Sequence, residues 1–150
     1  MYACAAMRPE PAKHPSTAPR LAFPRLWRAI GWACVALVVY LSLTPDPLPP
    51  AELGDLDVAH AAAYAWLAFW FAQLRRRGVP WIATAAALCA LGIGLEVLQG
   101  WTGYRTFSYA DMRDDVLGVA AGLALAATPL GAILPAVDAR LARMRGTLQR

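Results

Sequence analysis

The sequence predicts an all-α, polytopic membrane protein: a bundle of four transmembrane helices with both termini in the cytoplasm. Three observations carry this reading. The 150 residues are 59% hydrophobic and 16% charged, where a soluble domain is roughly 45–50% apolar and 25% charged. Four apolar stretches approach the ~20 residues that cross a bilayer. Charge is also sorted along the chain, with 12 of the 14 basic residues falling on one side of those stretches.

Residues 1–25 read as a disordered basic tail. They carry Arg8, Lys13, Arg20 and Arg25 among Pro9, Pro11, Pro15, Pro19 and Pro24, with no apolar core long enough for a signal peptide. Met7 is a second candidate start. The membrane domain is expected over 26–137. Its first span runs 26–43 and ends at Thr44-Pro45, before the proline-rich 45–50 that cannot continue a helix. The second runs 57–74 and is closed by Arg75, Arg76, Arg77 and Gly78. The third runs 79–99, with Pro80 tolerated in its first turn. So short a link makes spans two and three an antiparallel hairpin. The fourth runs 115–137, with a kink expected at Pro129. Residues 138–150 form a basic C-terminal tail.

Orientation follows from the basic residues, which favour the cytoplasm. The N-terminal tail and the entry to span one, the second loop and the C-terminal tail hold 12 of them; with Glu10 and Asp138 that side carries +10. The other side has Arg105 and Arg113 against eight acids, a balance of −6. The basic tails are drawn to anionic headgroups. The overall +4 conceals this segregation and is no nucleic-acid signal. Phosphate loops, aromatic-interleaved basic patches and repeats are absent from the sequence. Cys4, Cys34 and Cys89 have no metal-ligand spacing, and Cys34 and Cys89 lie in apolar runs as small hydrophobes. Neither a metal nor another cofactor is expected.

Polar residues converge at the outer end. His60 lies one turn into span two, and Tyr64 follows at i+4 on the same face. Glu96 lies about 6 Å below Gly100 at the outer end of span three, and Gln99 shares its face. The next loop supplies Tyr104, Arg105 and Ser108, and span four opens with Asp111, Asp114 and Asp115. Asp111, Asp115, Gly118 and Gly122 are spaced 4, 3 and 4, one helical stripe. Ionisable groups at membrane depth face the bundle interior and take partners, so Glu96 is expected to pair with Arg105 or His60. Gly118 and Gly122 would admit a neighbouring helix. Plainer roles stand beside these. His60 could simply lock two helices through Glu96, Arg105 neutralise loop acids, and Asp111 cap span four. Asp114 reads as a solvated first-turn acid, and Gln73 needs no role.

This pattern resembles the VanZ-like family of small bacterial membrane proteins. The matching residues are Ser42-Leu43-Thr44-Pro45, His60 with Tyr64, Glu96 with Gln99, then Arg105, Ser108, Asp111 and Gly118. They run from about residue 40 to residue 122, most of the membrane domain and neither tail. Two positions depart from the family pattern. Asp57 stands where an Asp-Lys pair would put its lysine, with Leu56 before it, and Asp115 stands where an asparagine is usual. Both make the outer site more acidic and less welcoming to an anion.

The resemblance implies a multi-pass protein of the bacterial cytoplasmic membrane, in a family whose founding member is linked to teicoplanin resistance. The expected function is cell-envelope physiology or glycopeptide resistance, through a site that binds a lipid headgroup or cell-wall-related ligand. His60, Tyr64, Glu96, Gln99, Arg105, Ser108, Asp111 and Asp115 are the ligand-binding candidates. The alternative is a membrane-embedded enzyme acting on a lipid-linked substrate, with Glu96 or His60 as base and Arg105 facing a developing anion. Proton-coupled transport ranks last, because spans one and four are apolar through their middles. The bilayer is the expected partner and nucleic acid is not. The alanines at 61–63 and 65 can pack within a chain or between chains, which leaves oligomerisation open.

Overall fold

The computed structural model describes residues 21–45, 52–53, 56–74 and 80–148. The expectations for the disordered tail up to residue 20, the proline-rich loop and the arginines at 75–77 lie outside these residues.

The described chain is helical apart from a minimal antiparallel ribbon, β1 (Glu52–Leu53) against β2 (Leu56–Asp57). Helix α1 (Pro24–Leu43) matches the first expected span, α2 (Val58–Gln73) the second and α3 (Trp81–Thr102) the third. The fourth apolar stretch differs from the single kinked helix expected over 115–137. Helix α4 (Tyr109–Ala126) starts earlier, at the loop, and stops short of Pro129. Proline lacks the N–H that would continue the ladder and crowds the preceding turn. Thr128 Oγ1 accepts from Leu130 N, a 3-10 turn covers Pro129–Ala132, and α5 (Ile133–Leu148) leaves at 74° to α4. Most of the basic C-terminal tail is thus helical.

Helices α1 and α3 are long and apolar enough to cross a membrane, and the bent α4–α5 pair would add a third span if counted as one. Helix α2 is more buried. It supplies Tyr64, Leu67 and Ala68 to a core completed by Leu88 and Val119. Its closest partner is α4, for a reason written in the sequence. A Cβ on Gly118 would run into the carbonyl of Ala61, and one on Gly122 into that of Ala65. The two glycines, one turn apart, let the backbones touch, and packing of this kind substitutes for the hydrophobic effect among apolar helices.

Helix α1 buries only Trp27 and Gly31, so its ends matter more than its flank. A helix N-terminus leaves N–H groups unpaired and carries partial positive charge, which Arg25 and Arg28 aggravate. Asp138 of α5 answers both problems. Its carboxylate accepts from Ala22 N at 2.5 Å, Phe23 N at 3.0 Å and the Trp27 indole at 2.7 Å. At the other end, carbonyls of the last turn receive Gln99 Nε2, Tyr104 Oη and both Nε and a terminal nitrogen of Arg105. Gln73 also has a role that the sequence reading denied it: its Oε1 accepts from Leu134 N at 2.9 Å, tying the end of α2 to the start of α5.

Candidate functional site

Asp57 caps α2, accepting from Ala59 N at 2.8 Å and His60 N at 3.3 Å. This places His60 in the first turn, facing α4. Asp57 N itself donates to Asp114 Oδ2 at 2.7 Å, and Arg113 Nε holds the other Asp114 oxygen at 2.8 Å. Asp114 is 1% exposed. It is therefore a buried link between two helix starts, correcting its reading as a solvated acid; the two N–H bonds offset the cost of burying its charge.

His60 Nδ1 lies 3.0 Å from Asp115 Oδ1, and Nε2 lies 3.8 Å from Asp111 Oδ2. Asp115 is buried against α3 at Gly92. A Cβ on Gly92 would stand 2.5 Å from Asp115 Oδ2 and 3.3 Å from the Tyr64 hydroxyl. Gly92 thus makes the space in which Asp115 meets His60 beside buried Tyr64.

Glu96, one turn beyond Gly92 and 1% exposed, accepts from Ser108 N at 2.8 Å. Ser108 is the N-cap of α4, and its Oγ accepts from Asp111 N at 3.2 Å. Asp111 is thus not the cap; it is the third helical residue. In a capping box an acid at that position reaches back to the N-cap N–H. Here Glu96 takes that N–H from another helix, and the Asp111 carboxylate is released toward His60. One donor atom each from His60, Glu96 and Asp111 lies within 4.8 Å of the others.

Six of the eight candidates thus come together: His60, Tyr64, Glu96, Ser108, Asp111 and Asp115. Gln99 and Arg105 sit beside them, with their described hydrogen bonds directed to α1 carbonyls. Among the described residues Glu96 forms no ion pair with Arg105. The supporting parts missed in the sequence are Gly92, Asp57 and Asp114. Gly92 was findable, because it lies four residues before Glu96 on the same face; Asp57, directly before Val58, has N-cap spacing.

Three carboxylates, those of Glu96, Asp111 and Asp115, surround one imidazole. Such a site can bind a cation, hold protons, or orient His60 as a base through Asp115. The chain matches no family model, no curated protein and no solved structure.

Proposed function

We propose that this chain is a four-span protein of a bacterial cytoplasmic membrane, akin to the VanZ-like family, with both termini in the cytoplasm. Its acidic site opens on the extracytoplasmic side and binds a lipid-headgroup or cell-wall-related ligand, in envelope physiology or teicoplanin-type resistance. The observation that carries the reading is the meeting of His60, Glu96, Asp111 and Asp115 from three separate helices. Buried carboxylates in apolar helices are costly and normally serve binding or transfer.

The four-span arrangement draws on the same geometry. Helix α2 has 16 residues, about 24 Å at 1.5 Å each. That is shorter than the hydrocarbon layer, a mismatch that local thinning absorbs. Helix α5 turns away from α4 and exposes Ile133, Val137, Leu141, Met144 and Leu148 at spacings of 4, 4, 3 and 4. Arg140 borders this stripe, three residues after Val137 and four before Met144, and Arg143 lies off it; long basic side chains beside an apolar stripe suit the cytoplasmic headgroup layer.

The test is complementation of a deletion strain, scoring teicoplanin and envelope-stress sensitivity, with reporter fusions at both termini. His60→Ala, Glu96→Gln and Asp111→Asn, each inserted at the wild-type level, should fail to complement. Full complementation by all three would sink the reading.

A second reading, a membrane enzyme acting on a lipid-linked substrate, is favoured by the His60–Asp115 pair. A carboxylate on Nδ1 orients the ring and leaves Nε2 to act as a base. Turnover by purified protein that disappears in Glu96→Gln would select it.

A further inference from the structure

We infer that the site holds one divalent cation of the Zn²⁺ or Mn²⁺ kind, ligated by His60 Nε2, a carboxylate oxygen of Glu96 and the carboxylate of Asp111. The inference rests on the binding reading above and names what occupies its floor.

The donor atoms come from α2, α3 and α4 and already lie within 4.8 Å of one another. A cation with ligand distances near ~2.1 Å holds its donors about 3–3.5 Å apart, so closure by about 1–2 Å completes the site, within reach of side-chain rotation. The imidazole is prepared for this. Asp115 occupies Nδ1 at 3.0 Å, the carboxylate–histidine arrangement that fixes the ring behind a metal and leaves Nε2 as the ligating atom. Glu96 points independently to a ligand. Its side chain is 1% exposed, yet its described hydrogen bonds amount to the single one from Ser108 N to Oε2. Its other oxygen accepts no described hydrogen bond, so its lone pairs are available to a cation.

Charge argues the same way. With all three carboxylates ionised, even a protonated His60 leaves the site negative, and Arg105 is committed to α1. A divalent cation offsets most of the excess: with His60 neutral as a ligand, one net negative charge is left. One nitrogen and two carboxylates suit Zn²⁺ or Mn²⁺, and three protein ligands leave positions open for water or an incoming group. The partial exposure of the His60 and Asp111 side chains, 23% and 29%, supplies the opening. Open positions on the ion would also give an oxygen of an anionic headgroup a place to coordinate inside an otherwise acidic pocket.

The full chain, purified in detergent and stripped with chelator, is dialysed against Mn²⁺ and separately against Zn²⁺. One ion per chain is expected. Glu96→Gln, which keeps an oxygen for Ser108 N, and Asp111→Asn should each weaken binding by at least 100-fold. Asp115→Asn should weaken it by about 10–100-fold, as the loss of an outer-shell carboxylate does. Asp138→Asn, at the opposite end, should bind like wild type. Thermal melts identify variants that still fold. Absent or non-saturable binding by wild type, or unchanged binding in both folded ligand variants, overturns the inference. If neither ion binds while Asp111→Asn still abolishes complementation, the cation is rejected and the ligand site stands. If one ion binds but complementation ignores these variants, the cation stands and the envelope reading falls.

Discussion

Gly92 of α3 and Asp115 of α4 share one space: the missing Cβ of the glycine leaves room for the carboxylate that meets His60. The contact is close enough to be tested by exchange. In Gly92→Ala the new methyl would stand 2.5 Å from Asp115 Oδ2, so the carboxylate must leave His60 or the helices must part. A loss of about 1–3 kcal/mol is expected, the usual cost of overpacking. Asp115→Ala alone costs a similar amount by leaving His60 Nδ1 without its acceptor. The double variant should lose less than the sum, with a coupling of about 0.5–3 kcal/mol for side chains in contact. Thermal or denaturant melts in detergent measure this cycle. Strict additivity would show that the two positions do not share space.

The α2–α4 seam offers a second test, with its control in the same protein. Gly118→Ala and Gly122→Ala each place a methyl against a backbone carbonyl of α2. Backbone cannot swing aside as a side chain does, so each should destabilise by about 1–3 kcal/mol. Gly94→Ala in α3 meets nothing within 4 Å. It should be neutral, or stabilising by up to about 1 kcal/mol through helix propensity. Equal melting temperatures for all three variants would contradict the packing described.

Asp138 makes stability depend on acid. Burial pushes its carboxyl up, but the hydrogen bonds from Ala22 N, Trp27 and Phe23 N outweigh burial and hold it below the ordinary carboxylate value. A group depressed in the folded state contributes stability that is complete above its unfolded value, near ~3.9, and lost as pH falls through the folded value. The difference in stability between wild type and Asp138→Asn should be constant from neutral pH down to about 5, then shrink below about 4. Asparagine offers one acceptor oxygen to three donors, so wild type is the more stable at neutral pH. Trp27 fluorescence during acid titration in detergent reads the same event. A difference that grows on acidification would reverse the sign and refute the account.

What was legible in the sequence followed from periodicity and charge. The apolar runs gave the first three helices to within three residues at each end. The stripe of Asp111, Asp115, Gly118 and Gly122 placed the acids and the close seam on one face of α4. Relationships across elements were not legible. Nothing near Asp138 signals that its partners are Ala22 and Trp27, 116 and 111 residues away. Likewise, the capping of α4 by Ser108 with Glu96 on its N–H depends on how α3 ends. The bend at Pro129 was legible from the proline, but hydropathy gave neither the start of α4 at Tyr109 nor the run of α5 to Leu148.

Arg105 separates a structural reading of the loop from a ligand-binding one. Its guanidinium donates to Leu41 O at 3.2 Å and Ser42 O at 3.3 Å, and Gln99 Nε2 reaches Ser42 O at 2.8 Å. Tyr104 Oη reaches Leu43 O at 2.8 Å. These donors satisfy carbonyls that a helix end leaves unpaired, where a cation also favours the dipole. Arg105→Ala should therefore cost about 1–2 kcal/mol of stability, in the range of a charged hydrogen bond that is partly solvated. Mn²⁺ or Zn²⁺ binding per folded chain should be unaltered. Arg105→Lys should recover part of the stability, since the charge stays but the planar two-nitrogen reach is lost. Melting curves and ion binding measured on the same preparations decide the matter. Unchanged melting with a complete loss of complementation would instead assign Arg105 to the ligand, and the arginine would then have to leave the end of α1 when the ligand arrives.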